Sequence, residues 1–498
     1  MKIKIYSALS IIFIYTLNAT DPQIIQSMSL KEKIGSLIIA AAVSNEEHNK
    51  EFMAMSPYRM DKEHVEDLIK NYHVGGIIFL GTTQSTELTN RIKHFQSLRT
   101  QDPLLIALDA EWPAMRIKNL PTALQLPHHM TLGALSNLSL IEEAAYITGC
   151  ILRHCGVHIN LAPVADVNNN PENPVINDRS FGSNPMKVAQ RVIAYVNGLA
   201  RAGIMDCVKH FPGHGDTTTD SHFALPVISH TRERLDAIEL FPFRAAIAGG
   251  AKAMMIGHIQ LPQLDPQENT PATLSKKIIT DLLRKELGFN GLIFTDGLGM
   301  KGVTDYYQSG ELEVRTLEAG ADVILCPVNV RETIAAIETA VQSGRLSEKD
   351  IDEKLERIRQ VKQWIMNQQD KPLPDIKDLL LQSGQLKKQI YEKAITVVKD
   401  TAYNTNNVTI NVTNMNKFKF AQFGITNQTL ELIKKTYHDI KAINGTLTVV
   451  LYGSPYAVEL VKDYADRVIV AYEDDPYSHA AVTNLLKGAI KAEGVLPV

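Results

Sequence analysis

The sequence predicts an α/β chain: a (β/α)8 TIM-type barrel followed by a smaller α/β layer domain. Three observations carry that prediction. The 498 residues exceed one ordinary domain. Short apolar runs, about eight of them, alternate with amphipathic segments through the first two thirds of the chain. Polar residues capable of chemistry stand at the ends of five successive runs, where the loops of such a barrel lead into its helices.

The elements follow in order. Lys2 and Lys4 precede the apolar run Ile5 to Leu17, and Leu17-Asn18-Ala19 offers a small residue for cleavage. Residues 1–19 therefore read as a signal peptide, too short for a comfortable membrane span, with an uncleaved anchor as the alternative. Either way the protein is expected to be exported, periplasmic or secreted. Ser29-Leu30-Lys31-Glu32 has capping-box spacing and starts a helix. Strand-like runs then fall at 34–43, 74–80, 104–108, 157–167, 204–208, 251–259, 291–295 and 322–326. Amphipathic segments at 63–72, 88–98, 140–153, 186–202, 232–248 and 275–286 supply the helices between them. Ser347 caps a last helix over 348–366, which closes a barrel domain at 20–366. Residues 367–385, polar and with two prolines, read as a linker. Residues 386–498 hold strand signals at 394–398, 408–412, 447–452 and 467–472, and helical patterns at 428–437, 455–464 and 479–491. This second domain offers no recognisable catalytic group, and its role in shaping the cleft rim, in dimer contacts or in stabilising the barrel is open.

Composition removes several function classes. A formal net charge of −4 provides no basic field for nucleic acid. Cys150, Cys155, Cys207 and Cys326 are too few and too scattered for a disulfide scaffold. Cys150 and Cys155, with His154 and His158 nearby, match no standard zinc spacing, so buried free thiols are expected. No segment after the amino terminus is apolar enough to span a bilayer, and no cofactor is implied.

The chemistry concentrates in Lys209–His222, K-H-F-P-G-H-G-D-T-T-T-D-S-H, after the run 204–208. In an extended segment Asp220 and His222 point the same way, so the carboxylate can fix the imidazole's tautomer and raise its pKa. The plain alternative is a loop histidine satisfied by its neighbour. His210, His214, Asp216 and His222 also invite a metal, but their spacing fits no H-E-x-x-H or other fixed ligand pattern, and none is expected. Asp109, Asp166, His210, His258 and Asp296 each end a strand-like run, and five such groups point to one converging site. Individually, Asp296 reads equally well as a helix N-cap, and Asp109 with Arg179 as an ion pair.

The long loop resembles the signature of the β-N-acetylglucosaminidase branch of glycoside hydrolase family 3. In the same order, V-G-G-I-I-F at Val74, A-P-V-A-D-V at Ala162, D-R-S-F-G at Asp178 and F-T-D-G-L-G-M at Phe294 are also similar to family segments, and A-I-K-A-E-G-V-L-P-V at the end more weakly. The resemblance implies Asp296 as a nucleophile forming a glycosyl-enzyme, His222 as general acid/base and Asp220 as its partner. Asp109, Arg179, Lys209 and His210 fall on positions that hold sugar hydroxyls. The segment from Asp109 to Arg116 departs from the family's D-Q-E-G-G-R: without gaps the family arginine falls on Ala114, and Arg116 takes its place only if the loop is rearranged. Within the long loop, Pro212–Gly215 is expected to act as a hinge, with His214 and Asp216 as internal braces.

The expected activity is that of a retaining exo-β-N-acetylhexosaminidase acting on N-acetylglucosamine-containing glycans, peptidoglycan or chitin fragments. An imidazolium replaces the raised-pKa carboxylic acid that such enzymes usually need. The alternatives are a family 3 β-glucosidase or xylosidase, which usually draw the acid/base from the second domain and lack the D-x-H loop; a phosphorolytic N-acetylglucosaminidase, since a neutral imidazole does not repel phosphate; and a non-catalytic wall-binding protein.

Overall fold

The computed structural model describes residues 23–99, 102–401, 407–414 and 419–498. The expected signal segment 1–19 lies outside the described residues. Nine short strands build the first domain: β1 (Ile38–Ala42), β2 (Gly76–Phe79), β3 (Leu105–Leu108), β4 (Ile159–Asn160), β5 (Met205–Asp206), β6 (Val208–Phe211), β7 (Ala253–Ile256), β8 (Leu292–Thr295) and β9 (Ile324–Leu325). They pair as β5-β4-β3-β2-β1-β9 and β6-β7-β8, parallel throughout. Only Cys207 separates β5 from β6, and a bridge between Phe294 and Val323 joins β8 to β9. The sheet therefore closes into a barrel of eight staves. Every residue in these strands is buried, as expected of parallel strands covered by helices on one face and packed against each other on the other.

The helices fall where the amphipathic segments predict: Lys62–Asn71, Ser85–Ser97, Leu138–Cys155, Pro185–Ala202 and Glu348–Gln369. Ser29 makes both bonds of its capping box. That box commits Leu30–Ser36 to a helix, so the strand-like run at 34–43 divides, and β1 begins only at Ile38. The run 157–167 is regular strand for only two residues; beyond them Pro163 carries no N–H, and the pairing resumes as a single bridge between Val164 and Lys209. The segment 232–248 forms two helices, Arg232–Ala237 and Phe241–Ala248, the second starting with Pro242 in its first turn.

The linker expected at 367–385 is mostly helix. Glu348–Gln369 and Ile376–Ala394 leave only 370–375, with Pro372 and Pro374, between them. The apolar stripe Leu379, Leu386 and Ile390 packs the second helix into the main core. Beyond it lies a four-stranded sheet in the order β10-β13-β12-β11. Its strands are β10 (Thr396–Asp400), β11 (Asn407–Asn414), β12 (Thr446–Gly453) and β13 (Arg467–Val470), with β10 alone antiparallel. One apolar cluster runs from the barrel into this domain, through Ile390, Val449, Leu451 and Tyr472. Polar bonds cross the junction too: Tyr456 Oη donates to the Asn168 carbonyl at 2.6 Å, and Ser183 N–H donates to the Pro497 carbonyl at 2.9 Å. All four cysteines are buried and free, as expected. No helix among the described residues is long and apolar enough to cross a membrane.

Candidate active site

The five strand-end groups open on the carboxyl end of the barrel, and around them the chain builds a floor, an anionic group and a loop. Asp109 follows β3. Its carboxylate accepts from Lys209 Nζ at 2.8 Å and from Arg116 at 3.3 Å. The second carboxylate of the floor is Glu111, fully buried, which Arg179 grips through Nε and Nη2 at 2.7–3.1 Å and Lys209 reaches at 2.9 Å. Arg179 thus pairs with Glu111 and not, as the sequence suggests, with Asp109. Burial alone would push both carboxyls upward; Lys209 with Arg116 holds Asp109 below its usual range, and Arg179 with Lys209 holds Glu111 well below it. The cations gain in return: burial works against the Lys209 ammonium, but Asp109 and Glu111 raise its pKa. The floor is an ionised network of two carboxylates and three cationic groups.

Arg116 enters this network despite the altered segment around it. Residues Pro113–Met115 form a single 3-10 turn that brings Arg116 back towards Asp109, which is the loop rearrangement the sequence requires. Glu111→Gln leaves Lys209 and Arg179 buried with one carboxylate fewer. Removing one partner of a buried pair typically costs about 3–5 kcal/mol, so urea unfolding of this variant is expected to show a loss of that size.

His210, the next-to-last residue of β6, donates Nδ1–H to Asp166 at 2.7 Å. Its Nε2 lies 3.4 Å from an Arg179 nitrogen, so the ring is held between that guanidinium and the Asp166 carboxylate. Asp166, wholly buried, also accepts the backbone N–H of His210 and of His214, at 3.2 and 2.6 Å. One carboxylate therefore anchors both the strand end and the start of the long loop.

Pro212–Gly215, expected to flex as a hinge, is buried, and a Cβ on Gly215 would lie 1.9 Å from the Val167 carbonyl oxygen. Asn173 closes the same stretch by donating to the carbonyls of His214 and Gly215 at 2.8 and 3.0 Å. This part is a buried foundation, and exposed residues begin only at Thr218. His214 braces the loop from within. Thr217 donates its hydroxyl to the His214 carbonyl, so His214 Nδ1–H donates to Thr217 at 2.7 Å and Nε2 accepts from Ser221 at 3.2 Å. Burial holds this imidazole at about 4, neutral as that pattern requires.

Ser221 stands between Asp220 and His222. The sequence pairs Asp220 with His222 across an extended segment; the pair forms, but across a turn. The Asp220 carbonyl accepts from Phe223 and Ala224 N–H, while Asp220 Oδ1 accepts both the His222 N–H at 2.9 Å and its ring Nδ1 at 2.8 Å. The hydrogen bond to Asp220 raises the imidazole's pKa above its ordinary value, against partial burial and with help from the charge of Asp296. Its side chain is 61% exposed. The turn docks on the short helix Lys301–Thr304, where Gly302 N–H donates to the Ser221 carbonyl at 3.1 Å.

Asp296 follows β8. Its backbone N–H continues the ladder to the Ile256 carbonyl, and its Oδ1 accepts Gly297 N–H at 2.7 Å. It caps no helix; the next begins at Lys301. Burial pushes the carboxyl upward, but the imidazoles of His258 and His210 and the Gly297 N–H outweigh it and hold the group at about 2. His258 braces the same loop by bonding the Gly297 carbonyl at 3.0 Å, with Thr273 on its other nitrogen at 2.9 Å. Tyr58 does so from β1's side: its hydroxyl accepts Gly299 N–H at 3.0 Å, and its ring fills the space a Cβ on Gly299 would need.

The sequence's metal candidates separate. His210 turns to Asp166, His214 to Thr217 and Ser221, His222 to Asp220, and Asp216 to His230 at 2.5 Å. Among the described residues, Asp216, His230 and Glu239 stand close enough to share a cation, and the Arg234 guanidinium already lies there, 2.7 Å from Glu239 and 3.5 Å from Asp216.

The glycosyl hydrolase family 3 N terminal domain model matches residues 29–361. The chain belongs to glycoside hydrolase family 3. A family 3 β-N-acetylglucosaminidase from Paenibacillus sp. str. FPU-7 superposes with a TM-score of 0.78 at 30% identity, covering 95% of this chain and 99% of that one. The beta-hexosaminidase A of Pseudoalteromonas piscicida is 34% identical over 327 residues, 60% of this chain and 54% of that protein. A beta-N-acetylglucosaminidase/beta-glucosidase of Cellulomonas fimi is 30% identical over 330 residues, 65% of this chain and 58% of that protein. The chain spans little more than half the length of these two relatives. Within the family 3 barrel, sequence reasoning found the strand-end groups and the dyad. It missed Glu111, Tyr58 and Asn173, whose partners lie far along the chain.

Proposed function

We propose that the chain is an exported, retaining exo-β-N-acetylhexosaminidase that releases terminal β-linked N-acetylglucosamine from peptidoglycan or chitin fragments. The observation that carries this reading is the Asp220–His222 dyad, docked by Ser221 against the segment that follows Asp296. An ionised Asp296 attacks the anomeric carbon while imidazolium His222 gives its proton to the departing oxygen, leaving a glycosyl ester and a neutral imidazole. His222 then takes a proton from water, whose oxygen displaces the ester, so two inversions return the β configuration. Asp109, Arg116, Arg179, Lys209 and His210 hold the sugar's hydroxyls. The names of the relatives in Pseudoalteromonas piscicida and Paenibacillus support the choice of sugar.

The test is hydrolysis of an aryl β-N-acetylglucosaminide followed by NMR, with the β-anomer of N-acetylglucosamine appearing first. Faster turnover of an aryl glucoside, or the α-anomer as first product, overturns the reading. The same tube in phosphate buffer separates the phosphorolytic alternative, which gives the sugar 1-phosphate. Muropeptides compared with chitin oligomers by kcat/KM rank the natural substrates. Fractionation of cells expressing the full chain, with the mature amino terminus read after Ala19, tests export.

A further inference from the structure

The second domain reaches the helix start beside the barrel's floor through an acidic side chain, Glu473. Beyond β13, Tyr472 adopts a left-handed backbone (φ +67°), uncommon for a bulky residue, and its hydroxyl is tied to Thr396 at 2.6 Å. The chain thereby leaves the second-domain sheet and carries Glu473 towards the barrel. Glu473 accepts the His128 N–H at 3.0 Å and the Thr131 hydroxyl in a short bond, and its other oxygen lies 4.0 Å from His128 Nε2. His128 begins the short helix His129–Gly133, and its own side chain does not cap it.

That helix start touches both sides of the Arg179–Glu111 pair. The His128 ring stacks on Trp112, next to Glu111, with ring centroids 3.7 Å apart, and bonds Asp178, next to Arg179, at 2.9 Å. The adjacent His129 bonds the Arg179 carbonyl at 2.8 Å and lies edge-on to Tyr195, whose hydroxyl donates to the Glu111 carbonyl at 2.9 Å. Trp112 stands where the family's D-Q-E-G-G-R segment has glycine, so this stack belongs to the part of the chain that departs from the family form.

We infer that Glu473 is a positioning residue for the sugar pocket: by holding the segment from His128 to Thr131, it sets where Arg179 and Glu111 stand. The inference rests on the reading of Arg179 as a sugar-holding group. Glu473 bonds His128 and Thr131 and none of the groups proposed to hold the sugar or to react, so its loss weakens binding of the ground state and of the transition state alike, which raises KM and spares kcat.

Glu473→Ala is therefore expected to raise KM for the aryl β-N-acetylglucosaminide, and the Kd for N-acetylglucosamine, by about tenfold, with kcat within about threefold of wild type. Glu473→Gln keeps an oxygen that accepts from His128 and Thr131, and recovers most of the loss. A Glu473→Ala protein that unfolds more readily but keeps the wild-type KM and Kd overturns the inference, because a purely structural contact behaves that way. If Glu473→Ala does not fold, Thr131→Val removes one contact and spares the other; a KM unchanged there overturns it equally. An active wild type with an unaffected variant removes this inference alone, whereas a wild type that neither turns over nor binds the sugar removes the activity assignment with it.

Discussion

Asp296→Ala is expected to lower kcat on an aryl β-N-acetylglucosaminide by about 10⁴-fold or more, the scale seen when a covalent nucleophile is removed. The carboxyl stands at about 2, so wild-type Asp296 is ionised and needs no base to become a nucleophile. Alanine removes the attacking oxygen and leaves a gap beside the anomeric carbon. Azide fits such a gap, so adding it to the variant should restore part of the turnover and yield the α-glycosyl azide, the product of a single inversion. The geometry of Asp296 does not depend on substrate contacts, since Gly297, the Ile256 carbonyl and His258 hold it. The variant should therefore fold as the wild type does. Full activity in Asp296→Ala, or a β-glycosyl azide, removes Asp296 from the nucleophile's role.

His222→Ala should cost about 10²- to 10⁴-fold in kcat when the leaving group needs a proton, and far less when it is a dinitrophenolate, which departs unaided. Asp220→Asn tests the tuning. Glycosyl transfer to Asp296 needs His222 protonated, so activity falls as pH rises through the imidazole's pKa. In the wild type that pKa is raised, first by the hydrogen bond to Asp220. Asparagine keeps an acceptor but not the charge, so the basic limb of kcat/KM should move to lower pH while the acidic limb stays. An unmoved basic limb would show that another group supplies the proton.

How much of this was legible in the sequence depends on distance along the chain. The barrel, its strand-end acids and the capping box at Ser29 are local patterns, and local patterns survive translation into structure. The Asp220–His222 pair was legible too, though its geometry was not: the spacing suits an extended segment, whereas Asp220 bonds the His222 N–H and closes a turn. Glu111 was invisible in its role because Arg179, which fixes that role, lies 68 residues away. At 367–385 the prolines and polar residues masked the stripe Leu379, Leu386 and Ile390, which acquires meaning only once the barrel offers a surface to cover. The hinge expected at Pro212–Gly215 failed for the same reason, since Gly213 serves close packing against Glu239 and Gly215 against Val167, which no reading of the loop alone can detect. Glu473 lies outside every motif.

The docking of the dyad turn has an evolutionary consequence. The groups proposed to grip the sugar are sunk in a shared ionic network, where a change to one disturbs the rest. The acid/base turn hangs on few threads, chiefly Ser221 to His214 and Ser221 to Gly302, and its tip is open, with Phe223 71% exposed. Sugar identity and leaving-group identity therefore answer to separate stretches of sequence. Thr218, Thr219, Phe223 and Ala224 can drift or be randomised to accept new aglycones around a fixed Asp220, Ser221 and His222, and the ionic network below is left untouched.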